Sequence, residues 1–168
     1  WWGPIVNEYY AGSEGIGMTM ISAEDWLKHP GSVGKAIYGT LHVCGPDNEE
    51  VGAGEDGLIF YEHVLLPTYH NDPEKTADAM HPKGWMTLGD IGHVDEDGYL
   101  FLTDRKSHMI ISGGVNIYPQ EIENLLVTHD KVMDAAVIGA PDPDLGEKVV
   151  AVVQPIDMGD AGDNLEEE

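Results

Sequence analysis

The sequence predicts a mixed α/β chain, β-rich in its first part and followed by a small α+β unit. Three observations carry this. Alternating and apolar runs at 36–43 and 57–66 read as strands, separated by the acidic loop GPDNEEVGAGEDG. The run HVDEDGYLFL reads as a β-hairpin, with Asp97-Gly98 as the tight turn between β-formers. Beyond a polar joint, Lys106-Ser107-His108, an amphipathic helix from Pro119 to His129 precedes two further strands, DAAVIG and KVVAVVQPI.

Composition narrows the function classes. At 168 residues with 42% hydrophobic content the chain has material for a real core, in one domain or two small ones. Thirty-one acidic against eight basic residues give a net charge of −23, which repels nucleic-acid phosphates and anionic membranes. Neither is an expected partner. No apolar run approaches a membrane span. The single Cys44 excludes an internal disulfide, fits a reducing, cytoplasmic setting, and reads as a small buried hydrophobe. The chain begins with Trp1 rather than methionine, so a piece of a longer polypeptide is expected. The eight histidines show no i,i+4 pair and no neighbouring carboxylate triad, which argues against zinc.

In chain order, Gly12 and Gly15 bracket Ser13 and Glu14, letting the backbone bend and present a hydroxyl beside a carboxylate. That pairing suits a hydrated Mg²⁺ on a nucleotide phosphate, and equally a polar surface turn. Ser22 caps a short helical patch at Ala23–Leu27. Lys35 follows a glycine without the spacing of a phosphate loop and reads as a solvated loop lysine. A helix is expected near Asp72-Pro73. In the later helix Pro119 suits the first turn, Glu121 and Glu123 the positive end, and Ile122, Leu125 and Leu126 one face. The ending MGDAGDNLEEE reads as polar and frayed.

The chain is organised around residues 84–123. Asp90 precedes the predicted hairpin and Arg105, the only arginine, follows it. A hairpin can bring the two together, and a carboxylate beside a planar guanidinium suits a vicinal diol such as a ribose. Gly113-Gly114 permits unusual dihedrals and close approach to a ligand. These residues resemble the adenylate-forming superfamily of acyl-CoA synthetases, peptide-synthetase adenylation domains and beetle luciferases. The W-x-x-T-G-D signature is visible from Trp85, with Leu88 in place of threonine. The D-R-x-x-x-x-I-x-x-G-G-x-N-I-x-P-x-E-I-E signature matches at nearly every position from Asp104 to Glu123. Tyr10 to Glu14 resembles the Y-G-x-T-E motif of the same family.

The resemblance implies a fold: the end of a large AMP-binding domain over 1–104, ending in a distorted β-barrel, a hinge at 105–107, and the start of a C-terminal cap over 108–168. It implies ATP, Mg²⁺ and CoA, and a carboxylic acid activated as its acyl-adenylate and passed to a thiol. By matching position, Tyr10, Gly12, Ser13, Asp90 and Arg105 are expected to bind nucleotide. Ser13 and Glu14 are expected to act in catalysis, Glu14 as the magnesium ligand, Ser107 as the hinge, and Gly113 and Gly114 near CoA. Ser107 departs from the usual Asp or Lys. The apolar Ile16, Met18 and Met20 suggest a fatty, aromatic or steroid-like acid. The family's phosphate loop and catalytic lysine match nothing between Trp1 and Glu168, so these residues alone are expected to be inactive. A peptide-synthetase or luciferase-like member, or a non-catalytic binding module, remains an alternative, and the sequence does not set the oligomeric state.

Overall fold

The computed structural model describes residues 3–162. The chain forms two compact units, the first ending at Lys106 and the second beginning at Ser107. The opening tryptophan pair and the acidic residues 163–168, part of the tail expected to fray, lie outside the described residues.

The first unit is one seven-stranded antiparallel sheet. Its strands are β1 (Glu8–Ala11), β2 (Met18–Ile21), β3 (Ser32–Tyr38), β4 (Thr40–Cys44), β5 (Gly57–Glu62), β6 (Met86–Val94) and β7 (Leu100–Arg105), ordered β1-β2-β3-β7-β6-β5-β4. The sheet curls around a core of Ile16, Val33, Ile59, Tyr61, Ala79, Met86 and Leu100. Glycines allow the tightest approaches. A Cβ at Gly17 would lie 2.0 Å from the Tyr61 ring, so the chain after the first glycine loop rests directly on that aromatic face. The strand expected at 36–43 is instead divided at Gly39, which takes a positive φ of 74°, so that β3 pairs with β2 and β7 while β4 pairs with β5 at the far end of the sheet. Lys35 lies within β3 rather than a loop, its Nζ 4.3 Å from the centre of the Tyr99 ring.

Two short helices cover the sheet's connections. Helix α1 (Ala23–Trp26) is capped by Ser22, whose Oγ accepts from the Asp25 N–H. Helix α2 (Pro73–Asp78) is capped by Asp72, with Pro73 in its first turn. Trp85, which opens the long β6 segment, is sandwiched between the rings of His42 and His81 at centroid distances of 3.6 and 4.6 Å. Cys44 is 1% exposed, and burial first, then the nearby Glu50 carboxylate, raise its thiol pKa.

The β6–β7 hairpin has a longer tip than the predicted Asp-Gly pair. Asp95 accepts from the backbone N–H groups of Asp97 and Tyr99, and Gly98 takes a φ of 81°. His29, beyond α1, pins this tip: its Nδ1 lies 2.8 Å from Asp95, its Nε2 4.0 Å from Asp97, and its ring stacks on Tyr99. This corrects the reading of the histidines, since two of them do meet two carboxylates each, His29 with Asp95 and Asp97 and His42 with Glu50 and Glu62. At the hairpin tip both acids are joined to the His29 imidazole and Asp95 also ties the turn, so that cluster reads as a structural clasp. Lower in the hairpin, Asp56 bridges the strands through His93 and Thr103.

The second unit is a four-stranded antiparallel sheet with one helix. Strands β8 (Ile110–Ser112) and β9 (Val115–Ile117) form a hairpin, and helix α3 (Pro119–Leu126) leads to β10 (Val132–Asp142) and β11 (Gly146–Pro155), in the order β10-β11-β8-β9. The loop expected between the last two strands shrinks to a three-residue tip, because the strands pair from Asp142↔Gly146 onward. Glu123 of α3 accepts from the Val137 N–H, tying helix to sheet. Met158–Asp160 add a 3₁₀ turn.

Two predictions test this frame. A Cβ at Gly92 would lie 2.1 Å from the Phe101 carbonyl oxygen, so Gly92→Ala should cost about 3 kcal/mol of unfolding free energy, measured with urea. Asp95 has its pKa lowered: burial pushes it up, but the Tyr99 N–H, the His29 ring and the Asp97 N–H together outweigh that. Its contribution is therefore complete above its unfolded value of about 4 and is lost as the pH falls through the folded one. The stability advantage over Asp95→Asn should persist at pH 5 to 6 and shrink below about pH 4.

Candidate functional site

The hairpin does bring the two expected charges together. Asp90 and Arg105 are cross-strand partners of β6 and β7, and Arg105 Nε donates to Asp90 Oδ1 at 3.0 Å. The Lys106 N–H donates to the Gly89 carbonyl at 2.8 Å and extends the pairing one step past the arginine. Gly89 itself turns with a φ of 85°, its N–H held by Thr87 Oγ1. Asp90 is only 7% exposed, whereas the Arg105 side chain is 63% exposed.

Tyr10 completes the anchoring of the carboxylate, since its hydroxyl donates to Asp90 Oδ2 at 2.6 Å. Burial first, then Asp90 accepting this bond, push the Tyr10 hydroxyl far above its ordinary pKa, so it remains a donor throughout the physiological range. Each Asp90 oxygen thus holds one donor and keeps a second lone pair. The Tyr10 ring packs against the core cluster.

The glycine loop lies against the same segment. A Cβ at Gly12 would meet Leu88 at 2.7 Å, so the loop's backbone rests on the residue two before Asp90. Ser13 Oγ donates to Glu14 Oε2 at 3.2 Å. The other oxygen of Glu14 accepts from the Tyr69 hydroxyl, also at 3.2 Å. Tyr69 is itself held: its N–H donates to Thr76 Oγ1 in α2, and Lys75 lies 4.1 Å from its ring centre. Helix α2 therefore serves to fix the aromatic that holds Glu14. Burial and the bond to Glu14 both raise the Tyr69 pKa. In chemical terms Ser13 and Glu14 offer oxygen ligands for a hard cation, and Asp90 with Arg105 offers a carboxylate–guanidinium pair for a diol.

In the second unit, Gly113 and Gly114 have φ values of 57° and 83° and form the two-residue turn of the β8–β9 hairpin, the geometry of a type I′ turn. Ser107 is the first residue of that unit. One sequence expectation changes. Ile16 is fully buried in the core and offers no surface to an acid, while Met18 and Met20 lie in β2, with Met20 42% exposed. Tyr69 was not legible as a site residue, because no spacing ties it to positions 10–14.

Known proteins resemble this chain along most of its length. Residues 121–168 match the family model described as the AMP-binding enzyme C-terminal domain. A long-chain-fatty-acid–CoA ligase of Mycobacterium tuberculosis is 42% identical over 150 residues, which cover 88% of this chain and 30% of that one. The chain belongs to the adenylate-forming superfamily. Indoleacetate–CoA ligase of Aromatoleum aromaticum is 41% identical over 139 residues, covering 82% of this chain and 27% of the relative. Among solved adenylate-forming enzymes, ATP-bound MatB of Rhodopseudomonas palustris matches with a TM-score of 0.79 at 36% identity, over 94% of this chain and 32% of that one. The o-succinylbenzoate–CoA synthetase of Bacillus subtilis, in complex with its acyl-adenylate, matches with a TM-score of 0.78 at 31% identity, over 94% and 33%. This chain thus spans about a third of the length of the relatives it matches.

Removing the Tyr10 hydroxyl takes a donor from a buried charge. Tyr10→Phe should lower the unfolding free energy by about 1.5–3 kcal/mol, read by urea denaturation at neutral pH.

Proposed function

We propose that this chain supplies the ribose-gripping and magnesium-holding parts of an ATP-dependent acyl-CoA ligase. The observation that carries the reading is the buried Asp90, held by Arg105 and Tyr10, with the Ser13-Glu14 loop packed on the same β6 segment. ATP would set its ribose hydroxyls on Asp90 and Arg105, and Tyr10 would flank the adenine. Residues Gly12 and Ser13 would face the phosphates. Glu14, oriented by Ser13 and Tyr69, fits a hard divalent cation, which would screen the approaching carboxylate and stabilise charge at the α-phosphorus. These residues position and neutralise more than they move protons, which suits phosphoryl transfer.

The acceptor thiol is CoA on this reading, supported by the relatives' names as CoA ligases. The second unit acts as a cap turning about Ser107, and its Gly113-Gly114 turn comes to the pantetheine arm for thioester formation. The acid is an apolar one, as for the long-chain-fatty-acid and indoleacetate relatives. Residues 1–168 alone do not complete adenylation.

The test is ATP–pyrophosphate exchange by the whole polypeptide against a panel of carboxylic acids, followed by detection of the CoA thioester. Exchange with an apolar acid is expected, and Glu14→Gln should lower its rate by about 100-fold or more. Absence of exchange with every acid overturns the ligase reading. A clear rate from residues 1–168 alone overturns their dependence on further chain.

A further inference from the structure

Two residues that the family signatures do not account for touch each other in the first unit. Gly12 stands at the free position of the Y-G-x-T-E motif, and Leu88 stands where W-x-x-T-G-D has threonine. A Cβ on Gly12 would come within 2.7 and 2.8 Å of the two Leu88 methyl carbons, Cδ2 and Cδ1. The leucine thus fills the space that a side chain at position 12 would need. The same Cβ would lie 2.8 Å from Glu14 Oε2, so the Glu14 carboxylate also flanks the bare α-carbon.

Leu88 is anchored well enough to hold this arrangement. It is half-buried and packs against the core of the first unit, the same cluster that backs Tyr10 and Tyr69. Gly12 opens a closed turn: its carbonyl accepts from the Gly15 N–H at 3.1 Å, and Gly15 takes a φ of 66°. A shift at Gly12 therefore passes to Ser13 and Glu14, the two residues inside the turn. Gly12 itself has no left-handed φ, so crowding and not backbone conformation calls for glycine there. Alanine at this position would strain no backbone. What gives way is the far ends of Leu88 and Glu14.

We propose that Leu88 is a positioning residue for Glu14: in the place of a side chain at position 12, it seats the start of the turn so that the carboxylate lies where Ser13 and Tyr69 hold it. The inference rests on the reading of Glu14 as the magnesium ligand. It adds that position 12 must stay bare while position 88 is large.

The experiment is a double-variant cycle in the whole polypeptide, with ATP–pyrophosphate exchange followed against free Mg²⁺ at saturating ATP and acid. Gly12→Ala should raise the Mg²⁺ concentration for half-maximal rate about tenfold, the scale of disturbing a group that orients a metal ligand, while the urea midpoint stays unchanged. Leu88→Thr alone empties the space and should raise it by a smaller factor. The double variant Gly12→Ala/Leu88→Thr, with room restored, should return to within about twofold of the unaltered protein. Single effects that merely multiply in the double variant, or an unchanged Mg²⁺ dependence in Gly12→Ala, overturn the proposal.

Glu14→Gln separates this inference from the reading beneath it. If that variant keeps the unaltered Mg²⁺ dependence, or no protein shows exchange, the cation reading fails, and the cycle is judged on the 168-residue chain by NMR of labelled tyrosine rings. Burial first, then the bond to Glu14, raise the Tyr69 pKa. Gly12→Ala should move the Tyr69 titration down as that bond loosens, and the double variant should move it back. A Tyr69 titration untouched by Gly12→Ala overturns the proposal.

Discussion

The site depends on keeping an ionised carboxylate at Asp90 out of water. The aspartate sits in a sheet whose other side is core, in a chain of net charge −23, so both solvation and the long-range field oppose its charge. Two donors offset this, and they differ in kind. Arg105 is largely exposed, and an ion pair so open to water and salt contributes about 1 kcal/mol or less. The Tyr10 bond is short, partly buried and made to a charged acceptor, a class worth about 1.5–3 kcal/mol. The tyrosine therefore does more of the holding, and the guanidinium keeps freedom to meet a ligand.

The surrounding fold can be understood as the apparatus that sets this register. Asp56 and the Gly92–Phe101 approach fix how β6 lies on β7 along the middle of the hairpin, and His29 with Asp95 fixes its tip. At the other end, Trp85 between two histidine rings anchors the start of β6. A one-residue slip would place Asp90 on the opposite face from its partners. The same economy governs Glu14, whose orientation depends on an aromatic fixed by a six-residue helix.

Much of this was legible in the residues. The hairpin, the two helix starts at Asp72-Pro73 and Pro119, and the pairing of Asp90 with Arg105 follow from turn residues, alternation and spacing. What escaped shares a cause: contacts between residues far apart in sequence leave no periodic trace. Tyr69 meets Glu14 across 55 residues, Tyr10 meets Asp90 across 80, and His29 meets Asp95 across 66. Gly39 was missed for another reason. It lies among strand formers, and only its positive φ reveals a break that sends the two halves of what reads as one strand to different neighbours. Ile16 looked available to a ligand because apolarity alone does not say which way a residue faces.

Cys44 gives this architecture a consequence of its own. It is the sole thiol, it pairs with Leu58 where β4 meets β5, and burial suppresses its ionisation. An alkylating reagent can reach it only when that border of the sheet parts. The pace of labelling therefore clocks transient breathing of the edge strand, with no probe introduced from outside.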